Sequence, residues 1–133
     1  MDRFEIHIAT PRRQVLSAEV RQAEIPAAGG QLGVLPDHAP LLASLGTGVL
    51  SLDLYEGGER KRLLVSGGFL QVLPERTLVL ADLAEFPEEI DAAAARSALE
   101  QAELANRHAG PESDPVELQR QLALAKARVE LAS

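Results

Sequence analysis

The stretch LSLDLYEGGERKRLLV, residues 50–65, decides the fold of this chain of 133 residues. Leucine occupies every second position from Leu50 to Leu54, which is the period-two pattern of a strand with one buried face. Gly57 and Gly58 then favour a tight turn, because glycine enters the positive-φ region at little steric cost. The apolar alternation resumes at Leu63. The stretch therefore predicts a β-hairpin.

Similar strand signals lie on both sides of this hairpin. Apolar and polar residues alternate from Phe4 to Ile8, and a second strand is expected from Val15 towards Ile25, where Pro26 and the pair Gly29 and Gly30 stop it. The apolar positions change parity after Val20, which indicates a β-bulge. A last strand is expected over residues 77–80. About six strands with frequent turns predict a mainly β N-terminal domain, an antiparallel β-sandwich.

The last third of the chain has the apolar period of helices. Pro87, followed by acidic residues, favours a helix start, and Gly110 favours its end about 20 residues later. Asp114 as N-cap, Pro115 as first residue and Glu117 in a capping box predict a second helix. The sequence thus predicts a β-sandwich over residues 1–84 and a C-terminal α-helical hairpin over residues 87–132.

The two helices are expected to form readily and to adhere weakly. The first helix is rich in alanine, which removes little apolar surface from water when it is buried. The second carries one apolar stripe, which more often packs against a neighbouring helix than forms a groove for a partner. That stripe consists of Leu118, Leu122, Ala125 and Val129.

Composition excludes several classes of function. The formal net charge is -7, and residues 85–133 alone carry ten acidic and five basic groups. Such a chain lacks the basic surplus that binds nucleic acid or anionic lipid. The absence of cysteine excludes disulfides and thiolate metal sites. Since no apolar run is long enough to cross a bilayer, membrane association is expected only through partner proteins.

Two other classes of function remain as alternatives. A hydrolase could use Ser66 with Asp37 and His38, although the serine lacks the Gly-x-Ser-x-Gly context of a nucleophile elbow. A carrier domain of the lipoyl or biotinyl type could carry its modified lysine at Lys61, three residues past the glycine turn. Neither alternative explains the helical hairpin. No catalytic residue and no metal ligand is therefore assigned.

Five linked segments occur in order along the chain. Residues 30–42 hold two glycines and two prolines among apolar residues, too apolar for a free loop and too broken for a strand, and predict a rigid surface feature. The other segments span residues 8–15, 48–50, 65–69 and 79–82. Together they resemble the epsilon subunit family of bacterial F-type ATP synthases, over the whole chain.

The resemblance implies a non-catalytic subunit of the central stalk that couples proton flow to ATP synthesis. Its partners would be the gamma subunit and the membrane rotor c-ring, with Gln31, Leu32 and Gly33 facing the ring. It would lie peripherally on the cytoplasmic side of the plasma membrane. The residues that the resemblance places at or near partner interfaces are Thr10, Gln31, Leu32, Gly33, Pro36, His38, Ala39, Pro40, Leu41, Ser66, Gly67 and Gly68.

In this family the hairpin regulates hydrolysis: folded on the sandwich it permits turnover, and extended it reaches the alpha/beta hexamer and inhibits ATP hydrolysis. Some members bind ATP through an Ile/Leu-Asp-x-x-Arg-Ala motif. Here Ala94 occupies the arginine position. The resemblance therefore implies no cofactor, and ATP only as a weak regulatory ligand near Asp91, Arg96 and Lys126.

Overall fold

A computed structural model describes residues 2–132 of the chain. The described part contains seven strands, a 3₁₀ turn at Pro87–Glu89 and two helices. The strands are β1 (Phe4–Ala9), β2 (Gln14–Ala27), β3 (Gly30–Val34), β4 (Leu41–Ser44), β5 (Thr47–Leu54), β6 (Arg60–Val72) and β7 (Arg76–Glu85). The helices are α1 (Ala92–Arg107) and α2 (Pro115–Ala132). The predicted fold class, a β-sandwich followed by a helical hairpin, is confirmed.

The strands form a closed, flattened sandwich. Hydrogen bonding runs in the order β1-β7-β6-β5-β2-β3, β2 also pairs with β1, and β4 pairs with β6. All neighbours are antiparallel except β1 and β7, which are parallel. Strand β2 changes partner from β1 to β5 near the irregularity between Val20 and Gln22. The predicted bulge is therefore confirmed.

The core lies between the two layers of the sandwich and is made by the buried faces of β1, β2, β5, β6 and β7 together with Val34 of β3, whereas no residue of β4 is fully buried. The residues of the expected hairpin contribute Leu50, Leu52, Leu63 and Val65, all of them fully or nearly fully buried. The turn between them has the predicted positive φ at Gly57 (80°) and Gly58 (66°). Burial of one face of each strand is the principal stabilising term, because apolar area leaves water on folding.

The end of β2 agrees with the expected stop, and one other expectation about the strands was wrong. Strand β2 ends at Ala27, between Pro26 and Gly29, and the Pro26 carbonyl accepts the N–H of Gly46 at 2.8 Å. Residues 30–42 are not without strands, because β3 and β4 occupy both ends of that segment. Gly67 and Gly68 both lie within β6 at positive φ.

The first helix begins later than expected. Pro87 starts the 3₁₀ turn, Ile90 is extended, and α1 begins at Ala92 because the Asp91 side chain accepts the N–H of Ala94 at 3.0 Å. A side chain that caps the first free N–H groups fixes a helix start more strongly than a preceding proline does. The helix ends at Arg107, ahead of the expected glycine stop.

The second helix begins where the sequence predicts. Asp114 Oδ1 accepts the N–H of Val116 at 3.0 Å and that of Glu117 at 3.3 Å, so the predicted N-cap is present. The carboxylate of Glu117 does not complete a capping box, because it accepts hydrogen bonds from Arg120 and Gln121. Within the predicted stripe of α2 only Ala125 is fully buried. The expectation of one apolar stripe was too simple, since a second buried face meets the sandwich.

Candidate functional site

A short loop, residues 35–40, joins β3 to β4 and carries several predicted interface residues. Asp37 adopts a left-handed φ of 62°, a conformation that aspartate tolerates better than most residues with a side chain. Its N–H donates to the Pro74 carbonyl at 3.1 Å, which holds the loop against the β6–β7 turn. The ring Nδ1 of His38 lies 2.7 Å from the carbonyl oxygen of Ala39. The loop is therefore fixed in one conformation by hydrogen bonds.

Three large apolar side chains lie beside this loop on the outside of the sandwich: Leu42 on β4, Phe69 on β6 and Leu80 on β7. We call them the apolar face. Phe69 pairs directly with Leu80, and Leu42 pairs with Gln71, which points to the same side of β6 as Phe69. Their exposed fractions are 69%, 49% and 43% respectively. Adjacent large apolar side chains in water are typical of a surface that binds a partner.

The structure brings most of the predicted interface residues to the border of the apolar face. Pro40 and Leu41 precede Leu42, and Thr10 follows Ala9, which pairs with Leu80. Gly67 and Gly68 precede Phe69 on β6. The remaining members of this group lie in the adjoining loop at Pro36, His38 and Ala39.

Another group of predicted interface residues lies elsewhere. Gln31, Leu32 and Gly33 are on β3, which pairs with β2. Gln31 lines an open cleft of about 540 Å³ between the sandwich and α2, together with Glu24 and Lys126. The predicted residues therefore fall on two surfaces, one around the apolar face and one at β3.

Ser66 has a structural role in the sandwich. Its side chain is 2% exposed, and its hydroxyl lies 2.7 Å from that of Thr47. A side chain buried within its own chain is not available to a partner, so its assignment as a contact residue is corrected. Gly67 is favoured by its positive φ of 70°, and Gly68 is required by close approach, because a Cβ there would collide with the Leu80 carbonyl.

Helix α2 packs on the outside of the sandwich through a second, small apolar cluster. Leu124, Ala127 and Leu131 are buried there against Leu64 of β6. Next to the cluster, Arg128 makes two hydrogen bonds to Glu85 at the end of β7, Nε to Oε1 at 2.9 Å and Nη2 to Oε2 at 2.8 Å. Hydrogen bonding to this carboxylate raises the pKa of Arg128. A few apolar side chains and one ion pair thus hold the helix in place.

The interface between the two helices is built from small residues. Ala95 and Ala102 of α1 and Ala125 of α2 are buried. Asn106 Nδ2 donates to the carbonyl of Ala102 at 3.0 Å and to that of Leu118 at 3.3 Å, which ties the two helices together near their loop. The two helices therefore pack against each other as one helical hairpin.

The linker between the sandwich and α1 is also fixed. Arg13, in the β1–β2 turn, donates from Nη2 to both carboxylate oxygens of Glu89, at 2.9 and 3.1 Å. Glu89 Oε1 also accepts the N–H of Phe86 at 2.9 Å. The hydrogen bond from Phe86 has the largest effect on the pKa of Glu89 and lowers it, and the hydrogen bonds from Arg13 lower it further. The 3₁₀ turn is thereby held to the sandwich.

The three residues predicted for nucleotide do not line one site. Asp91 caps α1 and lines a cleft of about 320 Å³ together with Glu85 and Arg128. Lys126 lines the separate cleft at β3, and Arg96 is exposed on α1. The guanidinium nearest to Asp91 in that cleft is Arg128, which sequence reasoning missed. Its side chain is already engaged by Glu85.

The residues of the two alternative functions do not assemble into sites. Ser66 is hydrogen-bonded to Thr47, whereas His38 lies near the other end of β6, about 20 Å along the strand. Lys61 is inside β6 opposite Leu52, away from the hairpin tip where a carrier lysine would stand. Within residues 2–132 there is no group of three or more His, Asp or Glu side chains that could hold a metal ion.

No helix within residues 2–132 is both long and apolar enough to span a bilayer.

Sequence reasoning missed two kinds of functional residue. Leu42 and Leu80 resemble ordinary strand residues, and only the pairing of their strands shows that they point outward together. The pairs Arg13–Glu89 and Arg128–Glu85 join residues far apart in the chain. No local pattern marks such pairs.

Residues 3–87 match the family model described as ATP synthase, Delta/Epsilon chain, beta-sandwich domain. The chain is 42% identical to the ATP synthase epsilon chain of Solibacter usitatus over 98% of its own length and 96% of the relative's. It is also 42% identical to the ATP synthase epsilon chain of Moorella thermoacetica, with coverage of 99% and 98%.

Two solved structures share the architecture. One chain of the Euglena gracilis mitochondrial ATP synthase, in a structure of OSCP, F1 and c-ring, superposes with a TM-score of 0.83 at 25% identity, over 99% of this chain and 82% of that one. A chain from the central stalk and c-ring of the Tetrahymena thermophila mitochondrial enzyme superposes with a TM-score of 0.54 at 16% identity, over 97% and 92%. At that lower identity the second likeness concerns the fold alone.

Proposed function

Because the chain belongs to the ATP synthase delta/epsilon family, we propose that it is a non-catalytic central-stalk subunit of a proton-translocating F-type ATP synthase. It couples proton flow to ATP synthesis by linking the rotor ring to the stalk. The observation that carries this proposal is the apolar face, a group of exposed large apolar side chains of the kind that binds a partner protein.

The gamma subunit is the proposed partner of the apolar face. Leu42, Phe69 and Leu80 offer a contiguous apolar surface next to the held loop of residues 35–40. A partner that covers these side chains removes them from water, which is the main driving force of protein association. The rigid border of the face reduces the entropy lost on binding.

The rotor c-ring is the proposed partner of β3, through Gln31, Leu32 and Gly33. These residues lie on a different surface from the apolar face. One subunit can therefore contact the stalk and the ring at once. Attachment to the cytoplasmic side of the plasma membrane then follows from these two partners.

The helical hairpin is the proposed regulator of hydrolysis. Docked on the sandwich, as in this structure, it permits turnover; extended, it contacts the alpha/beta hexamer and inhibits hydrolysis. The small cluster around Leu64 supports this, because an element held by a few side chains can be released at moderate cost. The proposal includes no cofactor, and ATP only as a weak regulatory ligand. Equilibrium dialysis with labelled ATP is expected to show no micromolar affinity.

Capture of the gamma subunit by tagged full-length chain tests the stalk assignment. The unaltered chain should retain gamma, and Phe69→Ser should reduce retention by at least about fivefold, since an anchor residue at an interface typically contributes more than 1 kcal/mol. Val116→Ser is the matched control, because Val116 is 77% exposed on α2, away from the apolar face. Absence of retention by the unaltered chain would refute the assignment.

A shortened chain tests the regulatory role. Removal of everything after Glu89 keeps β7 and the 3₁₀ turn, whereas a cut at Leu83 would remove the buried Ala84. The shortened chain should still bind gamma and should raise ATP hydrolysis by the catalytic sector relative to the full chain. Equal hydrolysis with both chains would remove the regulatory role and leave the stalk role intact.

A further inference from the structure

Within residues 2–132, one bidentate ion pair and a small apolar cluster join α2 to the sandwich, and Arg120 of α2 adds a charge interaction with Asp82 of β7. The cluster consists of Leu124, Ala127 and Leu131 against Leu64, and it is non-directional, as apolar contacts are. The pair between Arg128 and Glu85 is directional: two parallel N–H···O bonds of 2.9 and 2.8 Å form only in one orientation of α2. The ion pair therefore distinguishes the docked position from any other.

The exposure of this ion pair suits a contact that opens and closes. The side chains of Arg128 and Glu85 are 29% and 22% exposed, so each is partly hydrated even when paired. When the pair opens, water replaces the lost hydrogen bonds, and neither charge is left buried. A fully buried pair would instead impose a large penalty on release.

A second ion pair lies on the other side of the linker and fixes a different part of it. Arg13 and Glu89 join the β1–β2 turn to the 3₁₀ turn, and Glu89 also accepts the N–H of Phe86. None of these three residues belongs to α1 or α2. Between this pair and α1 lie only Ile90, whose backbone is extended, and the capping residue Asp91.

We propose that the Glu85–Arg128 pair is the releasable latch of the hairpin, and that the Arg13–Glu89 pair keeps the 3₁₀ turn on the sandwich when the latch opens. The hairpin then pivots at Ile90 and Asp91. The inference rests on the proposed function in one respect, namely that the hairpin leaves the sandwich during regulation.

The latch is tested in the full-length chain by the distance between two spin labels. The sequence has no cysteine, so Glu24→Cys and Glu130→Cys provide unique attachment sites. Both residues line the cleft between the sandwich and α2, so the labels are close when the hairpin is docked. Pulsed dipolar spectroscopy then measures the ratio of released to docked molecules.

Glu85→Gln and Arg128→Gln are each expected to raise this ratio roughly five- to tenfold, in the range for a charge-assisted hydrogen-bonded pair that is partly exposed. The double variant Glu85→Arg with Arg128→Glu should restore the original ratio. Arg107→Gln is the matched control, because Arg107 is an exposed arginine of the same hairpin, in the last turn of α1. A ratio in Arg128→Gln equal to that in the control would overturn the latch, as would failure of the charge-reversed pair to restore docking.

The pivot is tested by amide hydrogen exchange at Phe86 and Glu89. The N–H of Phe86 donates to Glu89 Oε1, and the N–H of Glu89 donates to the carbonyl oxygen of Phe86. Arg128→Gln should leave both amides protected, and Arg13→Gln should expose them. Loss of protection in Arg128→Gln would show that the 3₁₀ turn also leaves the sandwich. It would overturn the proposed pivot at Ile90 and Asp91. Since the measurement needs neither gamma nor hydrolysis, its failure is separable from failure of the proposed function.

Discussion

Replacement of Leu124 by alanine measures how strongly the hairpin is held to the sandwich. Leu124 is 6% exposed and packs in the cluster with Leu64 and Leu131. The change removes about three buried carbons at about 0.8 kcal/mol each, which makes docking weaker by about 2 kcal/mol. We therefore expect the ratio of released to docked hairpin to rise about 30-fold.

The assay is hydrogen exchange of peptides from α1 and α2, read by mass spectrometry. A hairpin of this size without its support frays, so release accelerates exchange throughout both helices. Leu104→Ala is the control, because it is the same chemical change on α1 at a side chain that is 46% exposed. Peptides from β1 and β6 should be unaffected in both variants. If the two variants accelerate helical exchange equally, the cluster around Leu64 does not hold the hairpin, and the reasoning fails.

Three further predictions concern single positions. Gly68→Ala should destabilise the chain by about 3 kcal/mol or more, seen as a lower urea midpoint, since a Cβ there meets the Leu80 carbonyl at a φ of 106°. Thr77→Val should raise the melting temperature, with a gain of about 1 kcal/mol, because the buried Thr77 hydroxyl has no hydrogen-bond partner within the described residues; a lower melting temperature would contradict this. Hydrogen bonds from Arg120 and Gln121 lower the pKa of Glu117 from 4.5 to about 2; its contribution to α2 is therefore complete above pH 4.5 and lost as pH falls towards 2. A carboxyl NMR titration should show this low midpoint, and Arg120→Gln should raise it.

Local patterns were sufficient to predict the architecture, because strand alternation and helix caps depend on residues that are close together in the sequence. The hairpin turn at Gly57 and Gly58 and the N-cap at Asp114 need only their neighbours, and both appear where expected. The capping role of Asp91 was missed because Pro87 is an equally local start signal, and the sequence does not show that the Asp91 side chain accepts the N–H of Ala94. The contact of Arg13 with Glu89, which holds the 3₁₀ turn ahead of α1, joins residues 76 positions apart.

The candidate site was less predictable, because its residues become neighbours only through strand pairing. Leu42 and Leu80 lie on the same face since β4 and β7 both pair with β6. The sequence motifs contain the loop that borders the apolar face, so the loop could be recognised from the sequence. The apolar face itself depends on strand pairing and could not be recognised in that way. Conversely, Ser66 belongs to one of those motifs, and its side chain is hydrogen-bonded to Thr47 inside the sandwich. A motif residue can therefore be needed by the fold alone.

The way α2 is attached makes a two-state hairpin physically reasonable. A shift from 99% docked to 99% released needs about 5.5 kcal/mol. Leu124 and Leu131 contribute about 2 kcal/mol each when they leave water, and the partly exposed pair of Arg128 adds about 1 kcal/mol. These contributions together are of the size that a partner surface can replace. If α2 instead carried large apolar residues on all sides, docking would be too strong for a partner to reverse. The buried residues of α1 are alanines, which add little apolar area to the hairpin.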